Sequence, residues 1–222
     1  MQILCVRNSR SRLIRSIFLL VPFKEKYEGV VDYVNLLQEI AIPLVQQNLG
    51  DKKLAELKSI WQKESEPIPE SASDKERYEI AFRNWLKNWE SAYVFTSNRL
   101  GEGGSEKFVR AAVEENKRRM GGPAFYMYKF VRAVSPKTAF QMLMKQMTYQ
   151  YQVFTPLTLS KLDGQSGVME MSPCKIFDTQ ACGPFCTVGC QTAFPHLMEE
   201  HFKVKVMLEP KGKDCVGYYS KL

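Results

Sequence analysis

Cys174, Cys182, Cys186, Cys190 and Cys215 crowd into one stretch near the end of the chain, and the remainder holds only Cys5. Thiolates bind zinc, copper(I) and iron–sulfur clusters, and they act as nucleophiles where their surroundings favour the charged form. The core of the stretch reads Cys182-Gly-Pro-Phe-Cys186-Thr-Val-Gly-Cys190. It contains neither a C-x2-C zinc pair nor a ferredoxin run. Three chemistries stay open at this point: a metal or cluster site, a catalytic thiol, and packed or redox-active thiols of a core.

Geometry narrows the arrangement. On one continuous α-helix, Cys182 and Cys190 would lie about 12 Å apart at 1.5 Å rise per residue. One zinc with ligands at about 2.3 Å cannot bridge that. Gly183-Pro184 suggests a later start, because proline disfavours helix at the residue before it and suits a first helical turn. A helix beginning near Pro184 or Phe185 puts Cys186 and Cys190 one turn apart on one face. Cys186 then sits near the N-terminus, where the macrodipole favours a thiolate. Cys174 and Cys215 enter from flanking strands, and Cys182 stands apart.

The rest of the chain must position these thiols. At 222 residues it is long enough to bury a substantial core, and 45% apolar with 25% charged residues is ordinary for a globular protein. Lysines and arginines exceed acids by seven but are dispersed, and no aromatic–basic motif accompanies them, so nucleic acid is not an expected partner. No apolar run approaches the roughly 20 residues of a membrane span. Residues 1–27 read as a basic arm with Arg7, Arg10, Arg12 and Arg15, either a targeting segment, an amphipathic arm or an over-long start. A reducing, cytoplasmic compartment is the default for such thiols.

Residues 28–222 read as a single α+β domain with a helical half, 28–148, and a cysteine-rich half, 149–222. Val30, Val34, Leu37, Ala41, Leu44 and Val45 recur at helical spacing, with Gly50 as C-cap and Pro43 expected to kink or split the helix. Asp51 is expected to cap a short helix carrying Leu54, Leu57, Ile60 and Trp61. Glu64–Ala72 reads as a loop. Ser73-Asp-Lys-Glu76 is a capping box opening a helix with Tyr78, Phe82, Trp85, Trp89 and Ala92 on one side. Gly101, Gly103 and Gly104 end it, Ser105 caps the next, and Gly121-Gly122 ends that one. Pro123 and Ser135-Pro136 start two more helices.

From Tyr149 the period changes. Tyr149–Ser160 and Gly167–Ser172 read as a hairpin turning at Asp163-Gly164. The cysteine helix then runs to about His201 with a kink at Pro195. Lys203–Leu208 and Cys215–Ser220 form a second hairpin across Pro210–Lys213. The fold class is therefore α+β: an N-terminal helical region followed by a β-β-α-β-β antiparallel sheet unit carrying the cysteines.

With these motifs in place, the chain resembles the L-2-amino-thiazoline-4-carboxylic acid hydrolase family, itself similar to the small-molecule-binding domains named after 4-vinyl reductase. The matching positions are Cys174, Pro184-Phe-Cys186, Cys190 and Gly212-Lys-Asp-Cys215-Val-Gly-Tyr218, with Trp89 and Arg99-Leu-Gly101 upstream. The sequence departs in carrying Cys182 and in having Gln191 after Cys190, where an acidic residue is expected shortly after the second cysteine.

The resemblance implies a hydrolase of a small cyclic C–N substrate of thiazoline or amidine type. Adding water to a C=N carbon needs an activated nucleophile and a proton donor. Cys186 is the candidate nucleophile, His196 the candidate acid/base and Asp214 the candidate carboxylate. Cys174, Cys182, Cys186, Cys190 and Cys215 are the candidate ligands for zinc or an iron–sulfur cluster; four thiolates on one zinc would leave no open position for water. The alternatives are a non-catalytic small-molecule or metal-binding module and an iron–sulfur or thiol redox protein. Expected partners are a small-molecule ligand and a second copy of the chain.

Overall fold

The computed structural model describes residues 21–178 and 182–222, and of Phe177, Asp178 and Cys182 only the backbone. The candidate ligand side chain of Cys182 and the arginines of the basic arm lie outside the described residues. Six helices lead into two antiparallel β-hairpins with a helical connection between them, an α+β architecture with the cysteines in its C-terminal part. The chain divides into two compact units.

The helical unit comprises Phe23–Glu115 and Ile176–Phe194. It contains α1 (Phe23–Leu49), α2 (Asp51–Glu64), α3 (Asp74–Leu100) and most of α4 (Gly104–Met120). The apolar stripe of α1 buries Val30, Tyr33, Leu37, Ile40 and Ala41. That of α3 buries Tyr78, Phe82, Trp85 and Trp89. Their rings form a run, Tyr78–Phe82 at 5.8 Å, Phe82–Trp85 at 5.7 Å and Tyr33–Trp85 at 5.6 Å between centroids. Each such burial is worth about 1.5–3 kcal/mol. The capping box at Ser73 and Glu76 forms in both directions. The 65–73 loop is pinned at Glu66, whose backbone exchanges 2.8 Å hydrogen bonds with the Asn84 side chain.

Several local expectations are corrected here. Pro43 does not split its helix, since α1 runs on through it to Leu49. Gly50, at φ 81°, is the N-cap of α2, and Asp51 is the first helical residue, accepting instead from Gln46 Nε2 at 3.0 Å. Ser105 is likewise inside α4, with its hydroxyl 3.1 Å from that of Tyr93. α1 begins within the stretch read as a basic arm.

The sheet unit comprises residues 21–22, Asn116–Lys175 and Pro195–Leu222. α5 (Pro123–Val134) and α6 (Pro136–Tyr151) lead into β1 (Leu157–Leu162) and β2 (Ser166–Met171), and β3 (Val204–Lys211) and β4 (Asp214–Lys221) follow. The order is β1-β2-β4-β3, antiparallel throughout. Period-two burial gives the sheet an inner face of Met169, Met171, Cys215, Tyr219, Val204 and Val206. The α6 side chain of Met144 lies so close to Gly167 that a Cβ there would stand 2.7 Å from it.

The expected strand from Tyr149 starts instead at Leu157, because α6 continues to Tyr151 and a turn follows. Apolar residues in the last turn of a helix mimic a strand's alternation over so short a window. Asp163 sets the first hairpin turn, its Oδ1 accepting from the backbone of Gly164, Gln165 and Ser166 at 2.7–2.9 Å. The second turn is only Gly212-Lys213, with Gly212 at φ 63°. Pro210 is a strand residue, tolerated because β3 is an edge.

Candidate functional site

The segment carrying Cys186 differs most from expectation. It begins at Cys182, with α7 (Cys182–Pro184), and continues as a wide π-helix, π1 (Phe185–Ala193), then α8 (Phe194–Leu197) and a second π stretch, π2 (Met198–Phe202). The Phe194 amide reaches back five residues to the Gly189 carbonyl. Thr192 Oγ1 bonds the Thr187 carbonyl at 2.7 Å, again five residues away. Cys186 therefore stands a turn inside the helical segment rather than at its dipole-rich start. Pro195 lies in α8, just after π1; having no N–H, it cannot close an α-type bond to the carbonyl four residues back.

The wider turn changes which side chains meet. Gln191, five residues after Cys186, donates from Nε2 to Cys186 Sγ at 3.3 Å. This is a side-chain amide donor directed at the sulfur itself. Cys186 is half-buried and a free thiol; Cys190 is half-buried on the same segment. Beside Cys186, the half-buried Phe185 ring meets Trp85 at 5.0 Å and Trp89 at 4.8 Å, both edge-on. These contacts attach π1 to α3. Phe185 was visible beside Cys186, but nothing in an α-helical reading pairs Cys186 with Gln191; Pro195 is the only sequence sign of a broken α-ladder.

The other candidates belong to the sheet unit. Cys174 and Cys215 are buried. The Cys174 amide donates to the Lys213 carbonyl at 2.8 Å, which sets Cys174 beside the turn that leads into Cys215. Asp214 precedes Cys215 on β4 and so faces the opposite side of the sheet, opposite Lys211 in register. His196 is exposed on α8. Glu200, four residues on, is held below the usual carboxylate range by Lys117 first and by His196 to a lesser degree. His201 stacks on Phe125 at 3.7 Å between centroids and 7° between planes.

The division thus sets Cys186 and Cys190 in one unit and Cys174, Cys215, His196 and Asp214 in the other. Among the described residues, no group of three or more His, Cys, Asp or Glu side chains is gathered to hold a metal ion. No helix among them is long and apolar enough to cross a membrane.

The sheet unit also holds a hollow of about 290 Å³, walled by Tyr128, Phe140 and Phe202 and rimmed by Arg132, Lys203 and Lys221. No acidic side chain lines it. Arg132 Nη1 and the Tyr128 hydroxyl both donate to the Phe202 carbonyl, at 3.3 and 2.9 Å. Lys203, in the left-handed region at φ 58°, ends π2 at its mouth. Lys221 is six residues along β4 from Cys215, about 20 Å at strand rise, so this hollow is remote from the sheet-unit cysteines.

Compared with protein-family models, curated proteins and solved structures, the chain matches none.

Proposed function

We propose that the protein is a hydrolase of small cyclic C–N compounds of thiazoline or amidine type, with Cys186 as nucleophile. The observation that carries this reading is the Gln191 amide directed at the Cys186 sulfur across a π-turn. π-helical turns are rare and concentrate at functional sites. Packing alone would not call for a polar donor on a half-buried thiol.

The chemistry follows from the groups present. The Cys186 thiolate adds to the C=N carbon, and the ring nitrogen takes a proton from solvent. Expulsion of the ring heteroatom leaves the carbon bonded to Cys186. Water then adds at that carbon, and the thiolate departs with product. Phe185 offers a flat apolar surface next to the thiol for an unsaturated ring. The proton transfers run through solvent, since His196 and Asp214 belong to the other unit. Zinc or iron–sulfur binding is tested separately, by metal and sulfide content after anaerobic purification.

The test is turnover of a panel of 2-aminothiazoline and cyclic amidine carboxylates, read as released thiol or amine, in the wild type and in Cys186→Ser. Turnover lost in a folded Cys186→Ser supports the reading. A wild type inert across the panel, or a variant as active as the wild type, overturns it.

A second reading, small-molecule binding without turnover, is supported by the cation-rimmed hollow. Three cationic side chains around an apolar floor suit an anion with a small apolar body. Titration with benzoate, in the wild type and in Lys221→Ala, separates this reading from the first, since neither depends on Cys186.

A further inference from the structure

The outward side of α5 is the most conspicuous feature that the cysteine chemistry does not use. α5 buries Phe125 and Tyr128. Yet Tyr126 is 66% exposed, Met127 61%, Phe130 66% and Val134 72%. At 3.6 residues per turn these four and Ala133 fall within an arc of about 120°. The helix is therefore apolar on both sides, and a soluble helix normally pairs one such stripe with a polar one. A contiguous patch of this kind marks an interaction surface.

Charge decides what covers it. α5 has no acidic residue, and its charges are Lys129 and Arg132. Lys129, exposed, flanks the stripe with its ammonium over the Phe125 ring at 4.6 Å. Lys137, exposed, opens the next helix. A second copy docking through this face would set the same basic flank against itself, because a two-fold interface pairs like with like. Residues 1–20 carry Arg7, Arg10, Arg12 and Arg15 and no acid, so they too would bring positive charge to a positive flank. An anionic lipid surface meets both requirements: it buries the aromatic and methionine side chains at the headgroup boundary and neutralises the lysines.

We propose that α5 is a membrane-surface docking helix, lying in the plane of an anionic bilayer through Tyr126, Met127, Phe130 and Val134. It does not span the bilayer.

The test is cosedimentation of the full chain with vesicles of phosphatidylcholine alone or with about one third phosphatidylserine, at low and high salt. The expected result is binding to the anionic vesicles only, weakened by salt. Met127→Glu with Phe130→Glu should weaken it about tenfold or more, while Phe130→Leu retains it. Both positions are exposed, so the variants should keep the wild-type circular dichroism. Absence of binding to anionic vesicles overturns the proposal. So does binding that survives the double glutamate variant but disappears when the four N-terminal arginines become glutamine, which would assign it to the arm. A wild-type dimer in light scattering that the double variant converts to monomer, without vesicle binding, would instead make the face a self-interface.

Discussion

Gln191 directs its side-chain amide at the Cys186 sulfur, 3.3 Å away and five residues earlier in the chain. Five residues is the hydrogen-bonding interval of a π-helix, so the pair exists only because π1 is wound wide. In an α-helix the neighbour of Cys186 would be Cys190. The winding thus brings an amide donor to the thiol.

Removing that donor should slow the thiol without unfolding the helix. Gln191→Leu is expected to lower the rate of Cys186 alkylation by iodoacetamide at pH 7 about threefold, the factor that one ordinary hydrogen bond of about 0.7 kcal/mol implies. Gln191→Asn, one methylene shorter, should fall between. Equal rates in Gln191→Leu and the wild type would remove the amide from the proposed chemistry.

Phe185 ties π1 to α3 through Trp85 and Trp89. Phe185→Ala removes two edge-on ring contacts and leaves space beside them, which should cost about 2–3 kcal/mol in urea unfolding. Two of the three tryptophans border the deletion, so emission should shift as well. Unchanged stability and emission would mean that the ring does not hold the segment.

Glu66 accepts from Arg83 at 2.9 Å and Lys87 at 3.1 Å. These hydrogen bonds, Arg83 first, hold its carboxyl at about 2, against an ordinary value of 4.5. A carboxylate lowered on folding adds stability above its unfolded value, and that contribution is lost as pH falls through the folded one. Glu66→Gln should therefore be less stable than the wild type at pH 6, with the gap closing between about pH 4.5 and pH 2. Raised salt should narrow it too, because the pair is exposed. A gap independent of pH would sink this account.

Gly104 lets α4 start directly against α3. A Cβ there would stand 2.8 Å from the Ser97 carbonyl oxygen and 3.0 Å from its Cα, both backbone atoms that cannot swing aside. Gly104→Ala should cost about 1–3 kcal/mol in thermal or denaturant unfolding. Gly121→Ala, where the nearest atom would be at 3.4 Å, is the control and should change little.

Much of the fold is legible because its signals are local. The capping box at Ser73, the proline starts at Pro123 and Pro136, the Asp163 turn and the stripe from Tyr78 to Trp89 each depend on residues within a turn or two of one another. Local chemistry misleads where two periods agree over a few residues: Tyr149–Thr155 alternates like a strand, yet Tyr149–Tyr151 form the last turn of α6. The crowding of cysteines was equally plain as a composition fact.

What they do with one another was not. Helix width decides that Gln191 reaches Cys186, and it depends on bonds that close across a turn. The pleat alone sets Asp214 and Cys215, adjacent in the chain, on opposite sides of the sheet, but packing decides that the Cys215 side is the buried one. The amino-acid sequence by itself determined the helices, the two hairpins and the supply of thiols, because propensity, capping and alternation act between near neighbours. Only the three-dimensional structure decided the partner of Cys186 and the exposure of α5, because the first depends on how wide the helix winds and the second on what packs against the segment from far away in the chain.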